Sequence, residues 1–129
     1  MENCFAEHEP QEAKSPVAIF QSSGITPFAS LGAGPIRAAQ VMNGIPYFLS
    51  GGTVYSVDKN GVGTILGGQI SGNGYVPSSN NGTQLIFVNG TNGYVWAQAT
   101  GFQVITDANF HPASAVTFFD NVFVLNNAA

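Results

Sequence analysis

The sequence predicts an all-β fold of antiparallel four-stranded blades, laid out as in a β-propeller and amounting to two to three blades. Three observations predict it. Strand-forming residues (Val, Ile, Phe, Tyr, Thr) fill the intervals between sixteen glycines and seven prolines. Turn dipeptides such as Asn-Gly separate apolar runs of five or six residues, and Asn-Gly tolerates the positive φ that tight hairpins require. The layout also repeats: the turns at Asn43, Asn81 and Asp120 are 38 and 39 residues apart (81 − 43 and 120 − 81). Four strands per ~40 residues is the spacing of propeller blades. A self-contained β-sandwich of about ten strands is the alternative.

Residues 1–15 stand apart from this pattern. They hold half of the charged residues (Glu2, Glu7, Glu9, Glu12 and Lys14) and show neither helical nor strand periodicity. They read as an extended N-terminal arm, ordered only where something holds it. Pro10 argues against a short helix over residues 5–13. Residues 16–129 carry the blades. "VAIFQ" (17–21) is a strand, and "SSGITP" turns the chain. "FASLGAGP" (28–35) is a loop or a short edge strand.

The first full unit follows. "IRAAQVM" leads to Asn43-Gly44, then come "IPYFLS", Gly51-Gly52, "TVYSVD", a turn at Asn60-Gly61, and "GTILG". Along "TVYSVD", Val54, Ser56 and Asp58 share one face, and Thr53, Tyr55 and Val57 the other. Pro46 opens its strand, where a missing N–H is tolerated. The second unit reads "GYVPSSN", Asn81-Gly82, "TQLIFV", "NGTNG", "YVWAQ", Thr100-Gly101 and "FQVIT". A third begins with "ASAVTFF", turns at Asp120-Asn121 and continues into "VFVLN". Near-continuous apolar runs imply sheets buried on both faces. A closed propeller needs at least four blades, so the chain reads as the N-terminal portion of a longer polypeptide.

Charge narrows the function classes. Charged residues make up 8% of the chain and the net charge is −4, with Lys14, Arg37 and Lys59 the only cations. Neutralising several phosphates takes clustered Lys and Arg, so direct nucleic-acid binding is excluded, and a polybasic membrane contact with it. No segment reaches the ~18 apolar residues that span a bilayer. The acidic start "MENCFAEHEP" is unlike a signal peptide. A single cysteine, Cys4, cannot form an internal disulfide, which fits a reducing compartment. The "NGT" triplets at Asn81 and Asn89 are formal glycosylation acceptors that read as turns.

Candidate chemistry is sparse. "DKNGVG" (58–63) has the opening of a calcium loop in Asp58 and Asn60, but Val62 fills a ligand position and Gln69 stands where a bidentate Glu is needed. Asp107, Asn109 and His111 alternate along "DANFHP" without a fourth ligand. Beyond the arm the only acids are Asp58, Asp107 and Asp120, which gives no pair of facing carboxylates for glycoside hydrolysis. His8 and His111 lie in or near irregular segments, and Cys4 sits in the arm beside Phe5. No serine occupies a nucleophile elbow. Tyr75, Tyr94, Trp96 and Phe102 fall in one repeat, and form either core or a sugar-stacking platform. The expectation is therefore no enzyme, and no catalytic, cofactor-binding or metal residues.

The stretch "KSPVAIFQSSGITPFASLGAGPIRAAQVMNGIPYFLSGGTVYSVDKNGVGTILG" resembles the N-terminal part of the packaged-DNA stabilisation proteins of short-tailed phages, also called tail accessory or head-completion factors. The shared features are "KSP" before a short apolar strand, the Gly24–Phe28 segment, the Gly34–Arg37 step and the hairpin "VMNGIPYFLSGGTVYSVD". "NNGTQLIFVNGTNGYVW" is similar as well, and the resemblance runs from about Glu7 onward. Family members continue for several further blades, and their start, with an Asn, an aromatic and a Glu-Pro, corresponds here to Asn3, Phe5 and Glu9-Pro10. The resemblance implies a structural virion protein with no cofactor, in several copies beneath the portal and its adaptor ring. Such proteins plug and extend the tail and retain packaged DNA through protein–protein contacts; their location is the virion tail, and the host cytoplasm during assembly. The alternative is a carbohydrate- or ligand-binding propeller module, whose mark would be Trp96 exposed beside Asn and Asp side chains. An enzyme fragment would need acids or a nucleophile that this segment lacks.

Overall fold

The computed structural model describes residues 4–8, 17–21 and 24–127, and within the first two of these segments the side chains of Ala6, Val17 and Ile19 alone. Twelve strands and no helix are present among the described residues. The first two are β1 (Cys4–His8) and β2 (Val17–Gln21), paired antiparallel from Cys4↔Gln21 to His8↔Val17. The N-terminal arm therefore contains a strand held by the strand that follows it, and residues 5–8 are not helical. Residues 1–3 and 9–15 of the arm lie outside the described residues.

The first sheet comprises β3 (Ile36–Met42), β4 (Ile45–Ser50), β5 (Thr53–Val57) and β6 (Gly63–Gly68), neighbours in chain order. The second comprises β7 (Ser78–Asn80), β8 (Gln84–Val88), β9 (Gly93–Ala97) and β10 (Gly101–Val104), again in chain order. A last antiparallel pair, β11 (Val116–Phe119) and β12 (Val122–Leu125), follows. The all-β, antiparallel, four-stranded reading holds; two of the turn dipeptides take positive φ at both residues, whereas in Asn81-Gly82 only Gly82 (85°) and in Gly51-Gly52 only Gly51 (55°) does. Asn43 and Gly44 take φ of 53° and 77°, and Asp120 and Asn121 take 47° and 65°, the left-handed values of a two-residue hairpin. "GYVPSSN" yields only three strand residues, because Pro77 has no N–H to give and Tyr75 and Val76 belong to the connection between sheets.

Register shows how regular the repeat is. Gln40 pairs with Tyr47, Ser79 with Ile86 and Thr117 with Val124. The second pair lies 39 residues after the first (86 − 47), and the third lies 38 after the second (124 − 86). Tyr47↔Ser56 and Phe48↔Tyr55 recur as Ile86↔Val95 and Phe87↔Tyr94 at the same offset of 39. Equivalent residues thus occupy equivalent places in three successive layers.

The core lies between the first two sheets. Ala38, Met42, Tyr47, Leu49 and Val54 from the first meet Leu85, Phe87, Tyr94 and Trp96 from the second, with Ile70 and Val76 from the connection. Tyr47 and Trp96 rings sit 5.3 Å apart at 47°, and Tyr94 stacks on Phe102 at 5.7 Å, within the range of favourable aromatic pairs. The first strands of successive layers adjoin, β3 against β7 and β7 against β11, and β6 adjoins β10. Along the β3–β7 seam the polar residues bond to one another. The Gln40 side-chain amide donates to the Ser78 carbonyl at 2.8 Å, that of Asn80 donates to the Val41 carbonyl at 3.2 Å, and that of Asn43 donates to the Gly82 carbonyl at 2.7 Å. The carboxamides that replace charge in this composition stitch the layers together.

The connection between the sheets is fastened by Arg37. Its guanidinium, 4% exposed, donates to the carbonyls of Gly74 (2.7 Å), Gly51 (2.8 Å), Ile70 (2.9 Å) and Ser71 (2.8 Å). Its own carbonyl accepts the Val76 N–H at 3.0 Å, and Gly52 O accepts the N–H groups of Gln69 and Ile70. Gln69 takes φ of 124° to reach that acceptor, a conformation costing about 1–3 kcal/mol that only a dense local network sustains.

Candidate interaction surface

The layers differ in what covers them. In the second sheet Leu85, Ile86, Phe87 and Val88 are all buried: Leu85 and Phe87 face the first sheet, and Ile86 and Val88 lie on the opposite face, toward β11. This sheet meets the expectation of two buried faces. The first sheet does not. Tyr47, Leu49 and Val54 face the core, while Pro46, Phe48, Ser50, Tyr55 and Val57 point the other way, where Ser50 and Val57 are buried and Pro46, Phe48 and Tyr55 half-buried.

Residues 24–34 cross part of that outer face. The Ser50 hydroxyl donates to the Leu31 carbonyl and, at 3.1 Å, to that of Gly34. Phe28 lies over the β5–β6 turn, close enough that a Cβ on Gly61 would collide with the Phe28 carbonyl. Beside Phe28 an apolar groove of about 490 Å³ remains, floored by Ile45, Pro46 and Val57 and ended by Asp58 and Lys59. Phe28 stays exposed beside it, and Ile36, Val41 and Ile65 stay exposed elsewhere on the first sheet. At the far side of the stack, Phe119 (72% exposed), Val122 and Val124 (47%) form a second open apolar face. The two outermost faces of the layered body are therefore both apolar. Exposed apolar side chains grouped on one face mark interaction sites.

The candidate ligands and acids occupy turns. Asp58 Oδ1 accepts the N–H groups of Asn60 (2.9 Å) and Val62 (2.8 Å), and Asp107 Oδ1 that of Asn109 (2.7 Å). Gln69 is bound through its backbone to Gly52. His111 is exposed beside Asn109 and Asn126, and Asp120 makes the β11–β12 hairpin. No group of three or more His, Cys, Asp or Glu gathers among the described residues. The side chains of Cys4 and His8 lie outside the described residues. Asn81 accepts from Thr83 and Gln84, and Asn89 from Thr91 and Asn92, so both "NGT" triplets are Asx turns.

The four aromatics do not assemble into a platform. Tyr94 and Trp96 are core, Trp96 at 8% exposure, Phe102 packs on them, and Tyr75 stands exposed alone on the connection. The Trp96 edge and Tyr47 reach a cleft of about 490 Å³ rimmed by Asn43, Thr83, Gln84, Gln98 and Thr100. Burial pushes the Tyr47 phenol above its ordinary value. The neutral phenol is the form the folded state favours. Its contribution to stability is therefore complete below the unfolded value of about 10 and is lost as pH rises through the folded one. We expect urea midpoints to fall above about pH 10, and Tyr47→Phe to flatten that fall; an unchanged profile would show that the phenol is not desolvated.

Sequence reasoning missed Arg37 as a clamp and the two open faces as a pair. Exposed Val41, Phe119, Val122 and Val124 look like core in a sequence; only the layer order shows which faces are terminal. No protein-family model and no curated protein matches the chain.

Proposed function

We propose that this chain is a structural component that works by packing its sheets against other protein, in a virion tail of the kind its motifs resemble. The observation that carries the reading is the pair of apolar faces at the two ends of the stack, Val41 and Ile65 with Phe28 on one side and Phe119, Val122 and Val124 on the other. Such faces gain about 25 cal/mol for each Å² of apolar area removed from water. Low charge supports the same reading, since interface cores are depleted in charged residues.

We further infer that the four-stranded sheets are propeller blades. First strands adjoin first strands, and last strands adjoin last, as they do around a propeller's channel. In this reading packaged DNA is retained by a plug of protein, so no basic patch is required. The partners are portal, adaptor and other tail proteins. The test is co-sedimentation of the full chain with portal–tail complexes, together with duplex-DNA binding across a salt series. Co-sedimentation with weak, salt-insensitive DNA retention is expected. Tight DNA binding with a steep salt slope would overturn the mechanical account.

A further inference from the structure

We infer that the cleft between the first two sheets, onto which Tyr47 and Trp96 open beside Asn43, Gln84 and Gln98, is a binding site for an uncharged sugar ring. It lies between the layers and uses neither outer face, so it goes beyond the packing reading and stands or falls apart from it.

Three turns meet at this end of the layers: β3–β4 through Asn43, β7–β8 through Thr83, and β9–β10 through Gln98 and Thr100. They enclose a cleft of about 490 Å³, a size usual for small-molecule sites. The Tyr47 and Trp96 rings both line it, 5.3 Å apart and only 6% and 8% exposed. Neither the Tyr47 hydroxyl nor the Trp96 indole N–H bonds to any group among the described residues, and neither is sealed from solvent. Buried Tyr and Trp ordinarily find a partner for their polar ends. Here two neighbouring side chains, each more than nine-tenths buried, bring unpaired polar groups to one opening.

The rim offers both halves of a hydrogen bond. The Asn43 amide donates to the Gly82 carbonyl at 2.7 Å, and its Oδ1 has no donor among the described residues. Gln84 Oε1 accepts from the Asn81 amide at 3.1 Å, and the Gln84 NH₂ has no acceptor among them. The Gln98 side chain is exposed and bonds to no described group. A hydroxyl both donates and accepts, so a ring of hydroxyls answers every one of these groups. Met42, Ile45 and Ala97 add apolar lining, which suits the C–H face of a pyranose. No Asp, Glu, Lys, Arg or His lines the cleft among the described residues. A charged ligand would give up hydration there without gaining a counter-ion, so the ring that fits is neutral. Recognition is by hydrogen bonding, because Trp96 is too buried to offer the open face that stacking needs.

Trp96 is the only tryptophan, so its emission reports on the cleft. The full chain is titrated with glucose, galactose, mannose, maltose and lactose, with glucuronate as the charged counterpart and sorbitol as the open-chain control. A saturable change in emission with at least one of the neutral sugars is expected, with glucuronate and sorbitol about tenfold weaker or less effective still. Tyr47→Phe should weaken that sugar about 3- to 10-fold, the range of one neutral hydrogen bond. Gln98→Ala should weaken it to a similar degree, and its exposed side chain keeps the test valid where Tyr47→Phe disturbs folding. Tyr75→Ala, on the connection and outside the cleft, should leave affinity unchanged. No saturable response to any of the neutral sugars would overturn the inference. Equal responses to glucuronate or sorbitol, or full affinity in both Tyr47→Phe and Gln98→Ala, would overturn it as well. Co-sedimentation with portal–tail complexes depends on the outer faces and decides only the packing reading.

Discussion

Replacing Arg37 with methionine is expected to destabilise the chain by about 3–5 kcal/mol, the usual cost of removing one partner from a buried, charge-assisted network. The substitution deletes donors to four carbonyls, Gly51, Ile70, Ser71 and Gly74, and leaves those acceptors short of partners where water is largely excluded. It also unpins the connection whose Gln69 holds an unfavourable φ. Arg37→Lys should recover only part of the loss, remaining about 2 kcal/mol below the parent, because an ammonium has three donors at one point and cannot span four acceptors as the planar fork does. Urea denaturation followed by circular dichroism checks both. Equal stability of Arg37→Met and the parent would mean that the carbonyl cluster does not organise the connection. A domain of this size has about 5–15 kcal/mol in total, so the loss would approach global unfolding at moderate temperature.

Phe87→Ala should be the second most damaging change, at about 3–5 kcal/mol. Phe87 is fully buried between the sheets, in the cluster with Leu49, Leu85 and Tyr94. Its counterpart one layer earlier is Phe48 (87 − 39), which holds the same register against Tyr55 but is half-buried, since the face it occupies lacks a covering sheet. Phe48→Ala is therefore expected to cost roughly 1–2 kcal/mol in the isolated chain. The difference isolates layer position from residue type. Equal losses at the two sites would show that the outer face is covered to the same degree as the inner one.

Much of the fold was legible because its signals are local. Asn43-Gly44 and Asp120-Asn121 fix their hairpins through φ, and the alternation in "TVYSVD" placed Val54 and Val57 on opposite faces, both of which are buried. What escaped the sequence depends on distant partners. The pairing of Cys4–His8 with Val17–Gln21 joins segments with no shared pattern. Arg37 was counted as one of three scattered cations because its acceptors lie 14 to 37 residues away. The carboxamide seam needs Gln40 and Ser78 to meet across two sheets. Trp96 could have been platform or core, and only the seating of Tyr47 against it decides for core. The site was the least legible part. "IPYFL", "TQLIFV" and "VFVL" are alike in sequence, yet the layer order exposes Val124 and buries Ile86.

The central claim is a stack of sheets whose inner faces are sealed and whose two outermost faces seek protein. Carbene footprinting with residue-level mass spectrometry, on the full chain when dilute and again when assembled, measures it most directly. Val41, Ile65, Phe119, Val122 and Val124 should label strongly when dilute and lose label on assembly, with Leu49, Val54 and Phe87 protected throughout. Labelling of Leu49 or Phe87 in the dilute chain, or shielding there of Val41, Ile65, Phe119, Val122 and Val124, would contradict the account.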